Sequence, residues 1–176
     1  MNVLGIDCGF SSLGWALASV EDGAIRPLLC GVIRTEKQTK KTHTRSSEDN
    51  IRRAGELFDE LSNIINQHNV RIICAETMSW PRNAGVVAKM GIAWGVIASV
   101  SFRYKVPITQ ASPMILKKAI TGNGKSSKEE MIAKVQEMFP QLQLPKQTVL
   151  QEHAVDAVAA IIACEDSELM RFANAF

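Results

Sequence analysis

Four residues in this chain have the types and spacing of a cation site. Asp7 ends the apolar run 3–7, and Glu76 ends the run 71–76. His153 and Asp156 stand three apart in the segment 152–163. An acid at the end of a buried strand is costly unless something compensates it, and one divalent cation compensates several at once. Uncompensated, clustered carboxylates repel until one takes up a proton. Oxygen-rich ligands suit Mg²⁺ or Mn²⁺, and two such ions roughly 3.5–4 Å apart can clamp the attacking and leaving oxygens of a phosphodiester. In that scheme Asp7 bridges both ions, one ion activates water, and the other stabilises the leaving 3′ oxygen. The set suggests a metal-dependent hydrolase.

Each part taken alone has a plainer reading. Asp7 before Cys8-Gly9 fits a turn acid, and Glu76 fits a helix cap or a surface charge. His153-x-x-Asp156 fits a solvated helix face, since residues three apart share a side. The order and placement of all four together favour the site. If the strands ending in Asp7 and Glu76 are parallel neighbours, both acids emerge at the sheet edge where α/β proteins bind ligands, and the His153/Asp156 helix closes the site from the side.

The elements that must do this positioning follow from hydrophobic periodicity. Residues 3–7, 13–20 and 25–34 read as three strands, with Glu21-Asp22-Gly23 as turn chemistry between the last two. This is an antiparallel meander. Residues 35–47 hold no apolar side chain and carry Lys37, Lys40, Lys41, His43 and Arg45, so they read as a mobile basic loop. Ser47-Glu48-Asp49 reads as the cap of a helix to about His68, then 70–75 as a buried strand, 83–104 as a long helix and 106–110 as a last strand. Segments 112–121, 126–139 and 151–164 read as helices. With no internal repeat, the prediction is a single α/β domain over 1–176, a mixed five-stranded sheet flanked by helices.

Composition excludes several classes. At 46% hydrophobic and 22% charged, the 176 residues are those of an ordinary soluble domain. No charged segment precedes a signal-like apolar run, which leads us to expect a cytoplasmic protein. The apolar stretch 85–104 is interrupted by Lys89, and no membrane span is expected. Cys8, Cys30, Cys74 and Cys164 form no CxxC and lie in apolar runs, as buried free thiols do. The net charge of +2 does not itself indicate nucleic acid, but the basic residues are clustered. Lys117, Lys118, Lys125 and Lys128 surround Gly122-Asn123-Gly124, and Ser126-Ser127 can cap a helix whose N-terminus favours phosphate. Lys128 in that helix's first turn opposes the dipole, which points to a functional reason for it. The 35–47 loop is a second candidate for phosphate contact.

The segment Gly5-Ile6-Asp7-Cys8-Gly9-Phe10-Ser11-Ser12-Leu13-Gly14-Trp15-Ala16 resembles the opening of RuvC-type Holliday junction resolvases. Ala75-Glu76, then Arg82-Asn83-Ala84, Lys89-Met90-Gly91 and Gly95-Val96, match further segments in order. Lys117 ahead of Gly122-Asn123-Gly124, then Lys128, and finally the stretch from Gln151 through Asp156-Ala157, complete the match. The resemblance implies an RNase H-like fold, a homodimer, dependence on Mg²⁺ or Mn²⁺ with two ions per site, and paired cuts in a four-way DNA junction that leave 5′-phosphate ends. It carries over Asp7, Glu76, His153 and Asp156 as catalytic and metal-binding residues. It also places Lys117 and Lys128 near the scissile phosphate, and Arg82, Lys118 and Lys125 join them as expected DNA contacts.

Two departures from the family pattern stand out. Many members have Asp where His153 stands; an imidazole lowers the site's negative charge and is expected to shift metal preference towards Mn²⁺. An aromatic wedge often follows the second acid by three residues. Here that position is Ser79, with Trp80 next, and Trp80 can serve by stacking on an unpaired base or can pack on the core. The helix 83–104, apolar around most of its circumference, reads as a dimer seam that also packs on the sheet, since matched cuts need a two-fold axis. Branch-migration partners are left open. Three rivals remain: an ATP-binding fold of the actin and sugar-kinase type, which needs a second similar half; a related nuclease for flaps, other branched DNA or structured RNA; and a catalytically silent junction binder.

Overall fold

A computed structural model describes residues 1–38, 44–78 and 82–174. The meander forms as β1 (Asn2–Asp7), β2 (Ser12–Glu21) and β3 (Ala24–Arg34). Its β2–β3 hairpin turns on Asp22 and Gly23, both at positive φ (50° and 78°), as a two-residue turn matched to strand twist demands. Helix α1 (Ser46–His68) leads to β4 (Val70–Glu76), α2 (Ala84–Tyr104) and β5 (Ile108–Ala111). Four helices follow: α3 (Pro113–Thr121), α4 (Lys128–Met138), α5 (Thr148–Ala163) and α6 (Glu168–Asn174). The sheet order is β3-β2-β1-β4-β5, with β1 antiparallel to β2 and parallel to β4. This is the mixed five-stranded sheet expected, flanked by helices on both faces.

Period-two alternation divides the sheet between two cores. Leu4, Ile6, Leu13, Leu17, Ile73 and Ala75 face α1 and α2, where Leu57, Leu61, Ile97 and Val100 meet them. Val3, Ala16, Ala18, Ile72 and Cys74 face α5, with α3 and α4 behind it. Asp7 shares the parity of Val3, and Glu76 that of Ile72 and Cys74. Both acids therefore project to the α5 side of the sheet edge.

Several expectations need correction. Helix α1 starts at Ser46 with Arg45 as its cap, and Glu48 Oε2 accepts from Arg45 N at 3.2 Å, so Ser47 lies inside the helix rather than ahead of it. The 35–47 segment is not all surface loop: Thr35 is buried by its bonds to the β1–β2 turn. Residues 39–43 of that segment lie outside the described residues, so Lys40, Lys41 and His43 are not placed. Strand β5 begins two residues later than 106, and α5 begins three residues earlier than 151. Helix α4 starts after Ser127, whose hydroxyl accepts from Glu130 N, while Ser126 is buried behind it. Cys74 and Cys164 are buried as expected, but Cys8 and Cys30 are only partly so.

Candidate active site

Strand register sets two of the acids side by side. Ile6 pairs with Ala75 in the parallel β1–β4 ladder, so Asp7 and Glu76 leave adjacent strands one step further on. The third comes from α5, which crosses the sheet unusually close. A Cβ on Gly5 would overlap the carbonyl oxygen of Ala157, and one on Gly14 would overlap that of His153. Gly14 is the register partner of Asp7. These glycines let the helix backbone lie directly on β1 and β2 and deliver His153 and Asp156 to the strand ends. The sequence signal for this was a glycine inside each strand.

The outcome is a cluster in which one carboxylate oxygen from each of Asp7, Glu76 and Asp156 lies within 4.8 Å of the others. His153 stands beside the cluster rather than in it, with Nδ1 2.6 Å from Asp7 Oδ2. With Nδ1 engaged by Asp7, Nε2 is the ring's remaining polar atom. Lys128, from the first turn of α4, ion-pairs with Asp156. Its conflict with the helix dipole is thereby resolved: the ammonium group answers the carboxylate, not the helix end. Lys117 donates to the Ser126 carbonyl at 2.7 Å and so braces the α3–α4 connection.

Ionisation states reflect the crowding. Burial, then the charges of Asp7 and Asp156, push the Glu76 carboxyl up to about 7, with Lys128 and Lys117 pulling the other way. Burial raises Asp156 as well, against the pull of Lys128. The hydrogen bond to Asp7 raises His153 over the opposing effect of burial. Burial, with Asp7 and Glu76 adding to it, lifts the Cys8 thiol to about 12, which keeps it an inert neighbour. A cluster that holds a proton near neutrality is short of positive charge. Three close, half-buried carboxylate oxygens are a donor set that a hard divalent cation fits. The site is an open shelf. A concavity of about 860 Å³, lined by Met1, Val70, Tyr104, Pro107 and Phe172, lies at the opposite end of the strands, away from the acids.

Residues 3–164 match the family model described as crossover junction endodeoxyribonuclease RuvC. The chain belongs to the RuvC family. A RuvC of Pseudothermotoga lettingae is 30% identical over 146 residues, covering 83% of this chain and 85% of the relative. A RuvC of Chlorobium phaeovibrioides is 34% identical over 148 residues, covering 83% of this chain and 73% of its own. Among solved structures, T. thermophilus RuvC in complex with Holliday junction substrate superposes with a TM-score of 0.75 at 23% identity, over 99% of this chain and 97% of that one, and shares the fold.

Of the residues expected at a RuvC site, the fold gathers Asp7, Glu76 and Asp156, sets His153 on Asp7 and brings Lys128 to Asp156. Lys118 is exposed in the last turn of α3, Lys125 on the α3–α4 connection and Arg82 at the entry to α2. Trp80 lies outside the described residues. Arg53 escaped sequence reading: it is 2% exposed beneath the β1–β2 turn, and its spacing of four residues from Leu57, on the apolar stripe of α1, was the signal that could have found it.

Proposed function

We propose that this RuvC-family chain resolves four-way DNA junctions by metal-dependent phosphodiester hydrolysis, cutting paired strands as a homodimer to leave 5′-phosphate and 3′-hydroxyl ends. The observation that carries this is the convergence of Asp7, Glu76 and Asp156 on one edge of the sheet. These three carboxylates would hold Mg²⁺ or Mn²⁺, as one or two ions. When bound, the cation supplies a Lewis acid for the phosphodiester and a route to a nucleophile from water. Asp7, Glu76 and Asp156 crowd their carboxylates together and so fix where that charge would sit.

His153 holds the Asp7 carboxylate through Nδ1 and leaves Nε2 free to orient a water or to take a coordination position. Lys128, paired with Asp156 at the edge of the cluster, is a cation that would neutralise a phosphate bound there. The exposed Lys118 and Lys125, with Arg82, carry the flanking backbone. The dimer rests on α2. Ala93, Val96, Ile97 and Val100 face the core, whereas Ala88, Gly91, Gly95, Ser99 and Phe102 form an exposed opposite face without a charge. By length and composition α2 is the one described helix that could cross a membrane, yet its buried face packs on α1 and the sheet. A solvated helix face is normally polar, so a second copy is the natural cover for this one.

Incubation with Mg²⁺ or Mn²⁺ and labelled four-way junction, flap, linear duplex and RNA–DNA hybrid tests the reading. Junctions should be cut in symmetric pairs and the others spared. Asp7→Asn should abolish cutting while junction binding persists. Equal cutting of flaps would favour a broader branched-DNA nuclease, and cutting that survives Asp7→Asn would remove the proposed site.

A further inference from the structure

The β1–β2 turn that follows Asp7 is held from below by a buried arginine. Arg53, in α1, donates from Nη2 to Ser11 Oγ at 2.7 Å and from Nε to Thr35 Oγ1 at 3.0 Å. It also reaches the carbonyl oxygens of Thr35 at 3.3 Å and Phe10 at 3.5 Å, and its guanidinium carbon stands 4.3 Å from the centre of the Phe10 ring. Thr35 completes the clamp: its hydroxyl donates to Phe10 O at 2.6 Å and its amide to Ser11 O at 3.1 Å. Gly9 leaves no freedom within the turn, since a Cβ there would overlap the Ser12 carbonyl.

The charge balance of this arginine is poor for a purely structural part. Its ion-pair partner is Asp49, 4.0 Å away, and Asp49 already binds Arg52 at 2.7 Å and accepts from Gln38 N at 3.3 Å. Burying a guanidinium costs several kcal/mol before its bonds are counted, and apolar residues of similar volume usually stabilise a core at least as well. A planar fork offers directional bonds to the Ser11 hydroxyl, the Thr35 hydroxyl and the Phe10 carbonyl at once. The bonds to Phe10 and Ser11 fall three and four residues past Asp7, on the only chain segment that leads out of its strand.

We propose that Arg53 is a positioning residue that sets the Asp7 carboxylate for cation binding by clamping Phe10 and Ser11. This rests on the reading of Asp7 as a metal-holding residue. A partner bonded directly to a metal ligand changes metal affinity by about 10–100-fold when removed, and Arg53, acting one step further back through Phe10 and Ser11, is expected at the low end of that range.

The test uses Arg53→Lys, which keeps the charge and loses the fork, and Thr35→Val, which removes the hydroxyl and keeps the shape. Mn²⁺ binding is followed by the electron paramagnetic resonance signal of free Mn²⁺, without DNA. Junction affinity in EDTA and the thermal midpoint are measured beside it. Each folded variant should bind Mn²⁺ about tenfold or more weakly, with junction affinity in EDTA unchanged within about twofold. A merely structural role would lower the midpoint and leave Mn²⁺ affinity alone, and that result overturns the proposal. Should Arg53→Lys not fold, Thr35→Val decides. If the unmodified protein binds Mn²⁺ equally before and after Asp7→Asn, the reading of the site itself fails, which is a different outcome from equal binding by Arg53→Lys.

Discussion

Gly14 and His153 are in backbone contact: a methyl group on Gly14 would overlap the carbonyl oxygen of His153. Because Gly14 is also the register partner of Asp7, this one contact sets the height of α5 above the carboxylates. Gly14→Ala should therefore do two things. Overpacking of this kind costs about 1–3 kcal/mol of stability, read as a lower thermal midpoint. Cutting should fall much further, because α5 must lift and carry Asp156 out of the cluster. Gly5→Ala, against Ala157, should behave alike. Full cutting by a folded Gly14→Ala variant would show that the close crossing does not set the site.

The sequence makes the two strand-end acids legible because alternation is a strict geometric rule. Once β1 and β4 are parallel neighbours, the parity of Val3 and Cys74 decides the face of Asp7 and Glu76. His153 and Asp156 are legible as a pair for the same kind of reason. What joins the two pairs is not. Gly5 and Gly14 look like weak strand residues until α5 is seen on top of them. Lys128 looks misplaced until Asp156 is opposite. Arg53 falls on the apolar stripe of α1 with Leu57 and Leu61, but only three-dimensional closure of the β1–β2 turn shows its use. Helix boundaries shifted where capping chemistry was ambiguous, as at Arg45, Ser46 and Ser47.

Without a cation, stability should fall as pH rises through neutrality. Glu76 keeps its proton up to about 7 in the folded chain, against 4.5 as its ordinary value, so ionising it costs the folded state alone. His153 is raised by its bond to Asp7, and that pairing is fully present below the ordinary 6.5 and lost as pH climbs through the folded value. Both effects have one sign. Calorimetry in EDTA should give a lower midpoint at about pH 8 than at about pH 6. Asp7→Asn should flatten the difference, because Asp7 contributes to both shifts. Excess Mg²⁺ should restore the midpoint at the higher pH. A midpoint that rises with pH in EDTA would contradict this account of the cluster.

Lys128 competes with any cation for Asp156, and the two roles assigned to it separate in one variant. Lys128→Met removes the competitor, so Mn²⁺ should bind no more weakly, and by several-fold more tightly if the ion pair is a real rival. Single-turnover cutting should nonetheless slow by about 10²–10³-fold, the usual effect of losing a charge aimed at the reacting group. Loss of both Mn²⁺ binding and cutting would instead make the ion pair a structural strut.

His153 offers a nitrogen where many family members offer an oxygen. Nitrogen donors favour Mn²⁺ over Mg²⁺, which prefers oxygen and water. His153→Asp should therefore lower the ratio of Mn²⁺-supported to Mg²⁺-supported cutting of the same junction. An unchanged ratio would confine His153 to orienting Asp7.

The exposed face of α2 makes the proposed dimer testable without touching the catalytic residues. Among the described residues, the helix's own backbone apart, nothing lies within 4 Å of a Cβ built on Gly91 or Gly95, and Phe102 is 85% exposed on the same side. A glutamate at Gly95 thus has room in the monomer, and replacing a mid-helix glycine gains about 0.5–1 kcal/mol of helix propensity. In a close two-fold seam the same side chain would bury two like charges against each other. Gly95→Glu should keep the helical circular dichroism of the folded chain and convert the protein from dimer to monomer by light scattering. On a supercoiled plasmid bearing an extruded cruciform, paired cutting gives linear product in one binding event and a lone protomer gives nicked circles. The variant should therefore shift the product from linear to nicked. A variant that remains dimeric, or that still linearises the plasmid, would place the seam elsewhere.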